Sequence, residues 1–480
     1  MDRLTLHDLE RLTGGRWLNL ELVPGQCGDT PLGRVVIDSR EVARGDVFWA
    51  LPGSRVDGST FASDAFARGA AGVVSESEAV SAPAGRWALA VADSPRALWQ
   101  AAAAQRERFS GRVVGVTGSV GKTTTREMIH TVLGARYRGQ ASQRNHNNQI
   151  GVPLSLLAWR ASDDYAVVEL GASACGEIAE LAGLAQPEMG VITTIGEAHL
   201  GGFGGHERLA AAKGELLAAL PDDGVAVLNG DDEVLRRLAR RLSVETVWFG
   251  KRAGCQVVAT DIRYRDGSLS LRVDGHPIVV PVWGRHHLTS VLAAVAVGRQ
   301  WGLSLGEMAD ALFGFVAPPM RCQVTEIGGA KLINDCYNAS PTSMRAALDL
   351  LREFDAPGRR IVVCGDMREL GPEESRWHRE LGDEVVTRCG ADLLVACGER
   401  AEEVVAAARH RGMPPSRALV CDGPLQAAQR VGQVMCAGDV VLVKGSRAMA
   451  MERFISALED GLPRPSSRRR NDGLGRPSSS

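Results

Sequence analysis

A strand-like run, a glycine-rich loop and a helix-like pattern follow one another and limit the possible folds more than any other feature. Residues 113–116 predict a buried strand, and the apolar spacing over residues 128–133 predicts a helix. The loop between them holds Gly118 and Gly121 directly before Lys122. Glycines let backbone N–H groups approach an anion, the helix N-terminus contributes its dipole, and lysine adds a charge. The segment therefore predicts a phosphate-binding loop within an α/β fold.

The spacing of this loop differs from the standard pattern. Five residues, not four, separate Gly115 from Gly121, so Val116 stands where the standard loop has its first glycine. Thr123, which follows the lysine, is placed to ligate Mg²⁺. The guanine-specificity pattern Asn-Lys-x-Asp is absent from the sequence, which disfavours a GTPase switch. No catalytic base for a kinase is identifiable.

Composition excludes several other classes of protein. A net charge of −2 without a long basic stripe disfavours nucleic acid as the main partner. Ten cysteines are scattered singly, and Cys364 and Cys397 lie in apolar runs that predict buried, reduced thiols. The N-terminus predicts an amphipathic helix with Thr5 and Asp8 as a capping box, and no apolar run approaches the roughly 18 residues of a membrane span. We expect a cytoplasmic protein without membrane insertion.

The chain divides by pattern into three blocks and a tail. We predict domains over residues 1–108, 109–316 and 317–462, followed by a disordered Pro/Ser/Arg-rich tail over 463–480. The second block alternates strands with helices. Asp-Gly dipeptides at 266–267 and 274–275 predict a small inserted antiparallel sheet over 255–283. The third block repeats strand, turn and helix, which predicts a doubly wound parallel sheet.

Three polar residues stand near predicted strand ends or on small-residue helices in the second block. Glu169 ends an apolar strand, where a nucleotide enzyme places a metal-binding carboxylate. His199 follows another buried strand and could ligate a second Mg²⁺ or contact a phosphate. Lys213 lies on a predicted helix of small residues, and by composition it is an ordinary surface lysine.

Other polar clusters could line a substrate cleft, although each alone is also a normal turn. Residues 38–40 (Asp-Ser-Arg) could bind an anionic ligand. Residues 145–148 (Asn-His-Asn-Asn) precede a predicted helix opened by Pro153, and their amides suit sugar or peptide groups. Residues 334–341 follow a strand of the third block, at the edge where doubly wound sheets bind ligands.

Seven motifs in order give the chain a family resemblance. They are residues 117–124 (TGSVGKTT), 169–172 (ELGA), 198–200 (AHL), Lys213, 333–343 (INDCYNASPTS), 365–371 (GDMRELG) and 443–447 (VKGSR). The set resembles the Mur ligases of bacterial cell-wall synthesis over about residues 1–460. The fifth and sixth motifs specifically resemble the members of that family that add D-alanyl-D-alanine.

The resemblance implies a three-domain Mur ligase architecture: a UDP-sugar-binding N-terminal domain, a central P-loop parallel-sheet domain that binds ATP, and a C-terminal Rossmann-like domain for the amine substrate. It implies catalytic roles for Lys122, Glu169, His199 and Lys213. It implies metal binding by Thr123, Glu169, His199 and, if carbamylated, Lys213. It implies ATP contacts from Thr117, Gly118, Ser119, Val120, Gly121, Lys122, Thr123, Thr124, Arg321 and Asp335. It implies UDP-substrate contacts from Ser39, Arg40, Asn145, Asn147 and Asn148, and amine-substrate contacts from Tyr337, Asn338 and Ser340.

The implied reaction is an ATP-dependent amide ligation. A carboxylate reacts poorly with an amine, so ATP would convert the carboxylate of UDP-N-acetylmuramoyl-tripeptide to an acyl phosphate. The amine of D-alanyl-D-alanine would then displace phosphate. The implied cofactors are ATP and Mg²⁺ with a carbamylated lysine at 213, and we expect a monomer.

Two departures from the family pattern keep alternatives open. The family's His-Asn-x-x-Asn appears as residues 286–290 (HHLTS), so His287 and Ser290 replace both asparagines. The Thr-x-Gly-Asn pattern reads Ser142-Gln-Arg-Asn145. One alternative is a Mur ligase that adds a single amino acid, which the motif at 333–343 disfavours. The other is a nucleotide-binding regulatory or scaffold protein without catalysis, supported by the replaced asparagines alone.

Overall fold

The computed structural model describes residues 4–18, 30–197 and 200–461. The predicted tail over 463–480 and His199 lie outside the described residues. The chain forms two compact units. The first comprises the described residues up to 321 together with 340–350 and 368–374, and the second comprises 322–339, 351–367 and the described residues from 375 onward.

The N-terminal part of the first unit is a five-stranded sheet in the order β1-β5-β4-β3-β2. Its elements are α1 Leu6–Thr13, β1 Arg16–Trp17, β2 Val35–Val36, β3 Val47–Trp49, α2 Ala62–Ala67, β4 Gly72–Ser75, β5 Trp87–Ala90 and α3 Ser94–Glu107. The predicted capping box is confirmed, because Thr5 N donates to Asp8 Oδ2 at 2.9 Å and Asp8 N donates to Thr5 Oγ1 at 3.2 Å. Strand β1 is antiparallel to β5, and the other pairs are parallel.

A nine-stranded sheet forms the larger part of the first unit, in the order β14-β13-β12-β11-β10-β9-β6-β8-β7. Its strands are β6 Arg112–Thr117, β7 Gly139–Ala141, β8 Tyr165–Glu169, β9 Met189–Ile192, β10 Val225–Asn229, β11 Glu245–Gly250, β12 Val257–Arg265, β13 Ser268–Val273 and β14 His276–Val280. The helices of this part are α4 Lys122–Leu133, α5 Gly151–Leu157, α6 Glu177–Ala185, α7 Leu200–Phe203, α8 His206–Ala218, α9 Glu233–Ala239, α10 Leu288–Gln300, α11 Leu305–Phe313 and, through residue 350, α12 Pro341–Glu353.

The strand order places the phosphate loop at a reversal of the sheet. Strand β6 lies between β8 and β9 and is parallel to both, so successive crossovers leave it on opposite sides. Ligands bind outside the carboxyl ends of parallel strands at such a switch point. Thr117, Glu169 and Ile192 end these three strands at one edge.

The hairpin region agrees with the prediction and also joins the main sheet. Both turns are confirmed, because Asp266, Gly267, Asp274 and Gly275 all have positive φ, as a two-residue hairpin turn requires. The predicted antiparallel strands are confirmed, because β12 pairs with β13 and β13 with β14 in antiparallel register. Strand β12 first pairs in parallel with β11 and so continues the main sheet before its far end pairs with β13.

The second unit is a six-stranded sheet in the order β15-β16-β20-β17-β18-β19. Its elements are β15 Gln323–Ile327, β16 Ala330–Asn334, β17 Arg360–Gly365, α13 Glu374–Thr387, β18 Leu393–Cys397, α14 Ala401–His410, β19 Ala418–Cys421, α15 Pro424–Gly432, β20 Val440–Lys444 and α16 Glu452–Gly461. Five strands are parallel and β15 is an antiparallel edge strand, so the predicted α/β class is confirmed.

The thiol prediction is also confirmed. Cys364 and Cys397 are buried, and the cysteines of the described residues are all free. Burial raises the pKa of the Cys397 thiol to about 12, so it stays protonated and unreactive. None of the helices in the described ranges is long and apolar enough to cross a membrane.

Candidate active site

The loop between β6 and α4 has the backbone conformation of a phosphate cradle. Gly118 and Gly121 have φ values of +142° and +84°, which side chains rarely adopt. A Cβ on Gly118 would lie 2.1 Å from Thr193 Oγ1, so this position has no room for one. Lys122 Nζ donates to Gly118 O at 2.9 Å and so lies across the loop. An anion can therefore approach backbone N–H groups beside a fixed lysine.

Glu169 lies beside this loop with its carboxylate oxygens occupied by hydrogen bonds. Thr123 Oγ1 donates to Glu169 Oε2 at 2.8 Å, and Asn147 Nδ2 donates to Oε1 at 2.8 Å. Arg321 Nη2 donates in turn to Thr123 Oγ1 at 2.8 Å. A hydroxyl and a carboxylate in contact, both buried, are the hard oxygen ligands that suit Mg²⁺. The predicted residues Thr123, Glu169 and Arg321 are thus brought together.

Arg126 belongs to the same cluster, although the sequence reasoning did not single it out. Its side chain is buried, and Nη1 lies 3.3 Å from Glu169 Oε2 and 2.9 Å from Arg144 O. Arg126 is three residues beyond Thr123 on α4, and residues at this spacing share one helix face. This spacing could have predicted Arg126 as a site residue from the sequence, because Thr123 was already expected at the site.

Lys213 is buried, so its interpretation as an ordinary surface lysine is wrong. Its relative exposure is 1%, and Nζ lies 3.4 Å from Ala172 O and 5.1 Å from the ring centroid of Phe203. Leu209 and Leu216, four residues before and three after it on α8, are buried as well. The helical spacing of these leucines therefore indicates that Lys213 lies on the buried face of α8. The composition of the helix alone does not indicate this.

Burial shifts the titration of both lysines at the site. The pKa of Lys213 falls to about 7, first because burial penalises the ammonium form and then because Lys122 lies nearby. Burial also lowers the pKa of Lys122, and the Glu169 carboxylate opposes that shift. Near neutral pH a large fraction of Lys213 is therefore an uncharged amine, which is the nucleophilic form.

An ion pair joins the two segments that hold the candidates for the UDP substrate. Arg40 forms a two-point ion pair with Asp38, with Nη2 2.6 Å from Oδ2, and this partner holds the pKa of Asp38 at about 2. Ser39 is buried. Arg144 Nη1 lies 2.6 Å from Glu41 Oε1, which ties residues 39–41 to the segment that contains the candidate asparagines.

Of the candidate asparagines, one faces Glu169 and two are exposed. Asn147 bonds Glu169, whereas Asn145 and Asn148 are exposed. Asn148 Oδ1 accepts from Gly151 N at 2.9 Å, which satisfies the backbone donor of the first residue of α5. Helix α5 accordingly begins at Gly151, two residues before the Pro153 that was expected to open it.

Comparison with known proteins decides the family. Residues 32–106 match the Mur ligase family catalytic-domain model, residues 116–298 the Mur ligase middle-domain model, and residues 320–447 the Mur ligase glutamate ligase domain model. The UDP-N-acetylmuramoyl-tripeptide–D-alanyl-D-alanine ligase of Bacillus subtilis is 34% identical to this chain, over 90% of this chain and 94% of the relative. The ligase of the same name from Escherichia coli K12 is also 34% identical, over 92% of this chain and 96% of the relative.

The chain belongs to the Mur ligase family.

Solved structures agree with this assignment. MurF of Acinetobacter baumannii aligns with a TM-score of 0.81 at 30% identity, covering 96% of this chain and 99% of that one. The MurF ligase of Thermotoga maritima, solved in complex with ADP, aligns with a TM-score of 0.74 at 32% identity, covering 89% and 97%. The predicted family and its three-sheet fold are confirmed, and this Mur ligase binds ATP.

The two residues that replace the family asparagines lie at the start of α10. Ser290 is buried and its Oγ accepts from Thr125 Oγ1 at 2.8 Å, so it braces the helix that follows the phosphate loop. His287 is buried too, and burial beside His286 keeps its pKa well below the ordinary value, which makes the ring neutral. Within the described residues, His287 Nε2 has no hydrogen-bond partner.

In the second unit, Lys444 holds the candidates that follow β16, although the sequence predicted no role for it. Lys444 ends β20 and is buried; its Nζ lies 2.6 Å from Asp335 Oδ2 and donates to Asn338 O at 2.9 Å. Tyr337 is half-buried and Asn338 is exposed. In the first unit, Ser340 is buried directly before α12. Lys444 therefore fixes the turn that carries Asp335 and Asn338.

Proposed function

We propose that this Mur ligase joins D-alanyl-D-alanine to UDP-N-acetylmuramoyl-tripeptide and releases ADP and phosphate. One observation carries the proposal: relatives of that name match over at least nine-tenths of the chain. The contact between Thr123 and Glu169, both expected at the reacting phosphate, agrees with it. We further propose the predicted domain bounds, 1–108, 109–316 and 317–462, for the UDP-sugar, ATP and amine substrates respectively.

The proposed chemistry begins with transfer of the γ-phosphoryl group of ATP to the tripeptide carboxylate. Lys122 would hold the phosphates, and the N–H groups of the Gly118–Gly121 loop would orient them. The acyl phosphate that forms has a good leaving group. The amine of the dipeptide attacks its carbonyl carbon, the C–O bond to phosphate breaks, and the amine gives up a proton to yield the amide. A dry site protects the acyl phosphate from water.

Mg²⁺ fits the oxygen donors at this site, and we propose that Thr123 and Glu169 hold it, with His199 as a further ligand. The contact between Thr123 Oγ1 and Glu169 Oε2 supports this assignment, because it is the donor pair that a hard divalent cation prefers. Bound Mg²⁺ would screen the charge on the transferring phosphoryl group.

We propose that Lys213 is carbamylated. The neutral Nζ adds to carbon dioxide and loses a proton, which yields a carbamate anion in place of a buried amine. Burial and the pKa of about 7 support this proposal, since only the uncharged amine reacts. The carbamate would add an oxygen ligand to the metal site near Lys122.

The test is ADP release by the purified chain with each substrate omitted in turn. We expect release to require ATP, UDP-N-acetylmuramoyl-tripeptide and D-alanyl-D-alanine together, and Lys122→Ala to abolish it. ADP release that does not need the tripeptide or does not need the dipeptide would contradict the assignment, and release with a single amino acid in place of the dipeptide would show a different ligase. Parallel assays with substrates whose third peptide residue is meso-diaminopimelate or lysine identify the tripeptide that the enzyme uses. We also propose that the protein is cytoplasmic, where its free cysteines stay reduced. We propose that it is a monomer, and analytical sedimentation would test its mass.

A further inference from the structure

A polar path leads from the phosphate loop to the loop that follows β9. Ser119 N donates to Thr194 O at 2.8 Å. The Ser119 hydroxyl donates to Gly196 O at 3.2 Å and accepts from Gly196 N at 2.9 Å. Ser119 is buried, so these bonds are shielded from water. Movement of the phosphate loop at Ser119 therefore moves Gly196.

The next residue of the path, Glu197, is held by α12. The Thr342 hydroxyl donates to Glu197 Oε2 and accepts from Glu197 N at 3.3 Å. Arg345 Nη1 lies 3.6 Å from Glu197 Oε1, and the two side chains are 26% and 23% exposed. A single hydroxyl thus contacts both the backbone and the carboxylate of Glu197, which fixes the loop against one side of the helix.

The close approach at this contact needs a glycine. A Cβ on Gly196 would lie 2.7 Å from Thr342 Oγ1, and the hydroxyl would have to move away. Because Gly196 has no side chain, the Thr342 hydroxyl can reach the backbone of residues 196–197.

The first turn of α12 is held by hydrogen bonds between its side chains and its backbone. Ser340 N donates to Ser343 Oγ at 2.9 Å, Ser343 N donates to Ser340 Oγ at 3.4 Å, and Met344 N donates to Ser340 O at 2.8 Å. This reciprocal pair acts as a capping box. Thr342 lies inside the turn, so a shift of Thr342 moves Ser340, one of the residues assigned to the amine substrate.

We propose that Thr342 is a positioning residue that couples the phosphate loop to the start of α12, so that ATP and the amine substrate each strengthen binding of the other. The path runs from Ser119 through Gly196 and Glu197 to Thr342, and the identity of the second ligand rests on the proposed function. Coupling between two sites is reciprocal, so the same factor must appear in both affinities.

Calorimetry on the full chain tests the coupling with a non-hydrolysable ATP analogue and D-alanyl-D-alanine. In the unaltered protein each ligand is expected to raise the affinity of the other about fivefold or more, the lower end of typical coupling. Thr342→Val keeps the shape but removes the hydroxyl, and it is expected to bring the factor close to one. Thr342→Ser should retain it. Thr325→Val, at an exposed threonine on β15, is the matched control and should change nothing.

Kinetics provide a second readout. Thr342→Val is expected to raise the KM for the dipeptide about fivefold while kcat changes less than about twofold, whereas general unfolding would lower kcat through loss of active protein. Absence of coupling in the unaltered protein, or coupling that survives in Thr342→Val, would overturn the proposal.

A double-variant cycle on analogue affinity alone separates this proposal from the proposed function. If the path exists, Ser119→Ala together with Thr342→Val weakens binding no more than Ser119→Ala alone, because the first change already breaks the path. Fully additive effects contradict the path. If ADP release in the unaltered protein proves independent of D-alanyl-D-alanine, the proposed function fails, and the cycle still decides whether Ser119 and Thr342 are coupled.

Discussion

Replacing Lys213 with methionine is expected to stabilise the fold while abolishing ligation. Lys213 is 1% exposed and has a pKa of about 7 in place of 10.5. In the unfolded chain the ammonium is hydrated, so folding near neutral pH removes a proton or buries a charge, and either one costs free energy. Methionine fills a similar volume without that cost.

The size of the effect follows from the difference between the two pKa values. Each pH unit between 10.5 and 7 costs about 1.4 kcal/mol of folding free energy. At about pH 7.5 the lysine therefore costs up to about 4 kcal/mol relative to a residue that does not titrate. At this position the unfolded state binds more protons in this window, so the destabilising contribution of Lys213 shrinks as the pH rises from about 7 to 10.5 and then levels off.

Urea unfolding of the two proteins in carbon dioxide-free buffer measures this difference. We expect Lys213→Met to be more stable by about 2 to 4 kcal/mol at pH 7.5, with the gap closing steadily towards pH 10. Other groups titrate equally in both proteins and cancel in the difference. Lys251→Met, at an exposed lysine, should leave stability and its pH dependence unchanged. A methionine variant less stable than the unaltered protein at pH 7.5 would refute the reasoning.

Activity should change in the opposite direction. Lys213→Ala is expected to lose ADP release, and bicarbonate should not restore it because the amine is gone. Small carboxylic acids such as acetate can occupy the vacated space and supply the missing oxygen ligand, so they should restore part of the activity. Full activity in Lys213→Ala would exclude a carbamate role.

Further changes around the phosphate loop have expected outcomes of their own. Gly118→Ala should weaken binding of an ATP analogue more than about tenfold, because its Cβ would meet Thr193 Oγ1 at 2.1 Å; unchanged calorimetric affinity would contradict this. Thr125→Val leaves the buried Ser290 hydroxyl without its donor and should cost about 1 to 3 kcal/mol in urea unfolding, and Thr125→Val with Ser290→Ala should cost less than the two single changes added together. Glu169→Gln should weaken Mn²⁺ binding, followed by electron paramagnetic resonance, at least about tenfold; equal binding would exclude Glu169 as a ligand.

Local patterns predicted the elements of the fold because each depends on neighbouring residues. Residues 113–116, which were predicted to form a strand, lie within β6. Turn chemistry was equally local, since Asp266-Gly267 and Asp274-Gly275 form the expected hairpins. Local pattern could not predict that β12 pairs with β11 and so joins the main sheet. Its pairing with β11 depends on where that strand ends, which is a property of the whole sheet.

The candidate site shows the same division. Lys122 and Thr123 are read from a contiguous motif, and their contacts follow from it. Arg126, Thr342 and Lys444 contribute through contacts with residues distant in sequence, in the last two cases more than 100 residues away. Resemblance located the motifs containing Thr342 and Lys444, but it gave neither residue a role. Only the three-dimensional arrangement connects them with Glu197 and Asp335.

The charge balance around Glu169 favours a lysine whose side chain can change from a cation to an anionic carbamate. Lys122, Arg126 and Arg321 bring three cationic side chains to the cluster, against two carboxylates, Glu169 and Glu127, which both contact Arg126. That excess favours the polyphosphate of ATP but opposes a divalent cation. A protonated Lys213 would increase the opposition, a neutral amine would leave it unchanged, and a carbamate would offset one of the cations. The proposed carbamate would therefore add negative charge beside the proposed metal site while leaving the phosphate cradle intact.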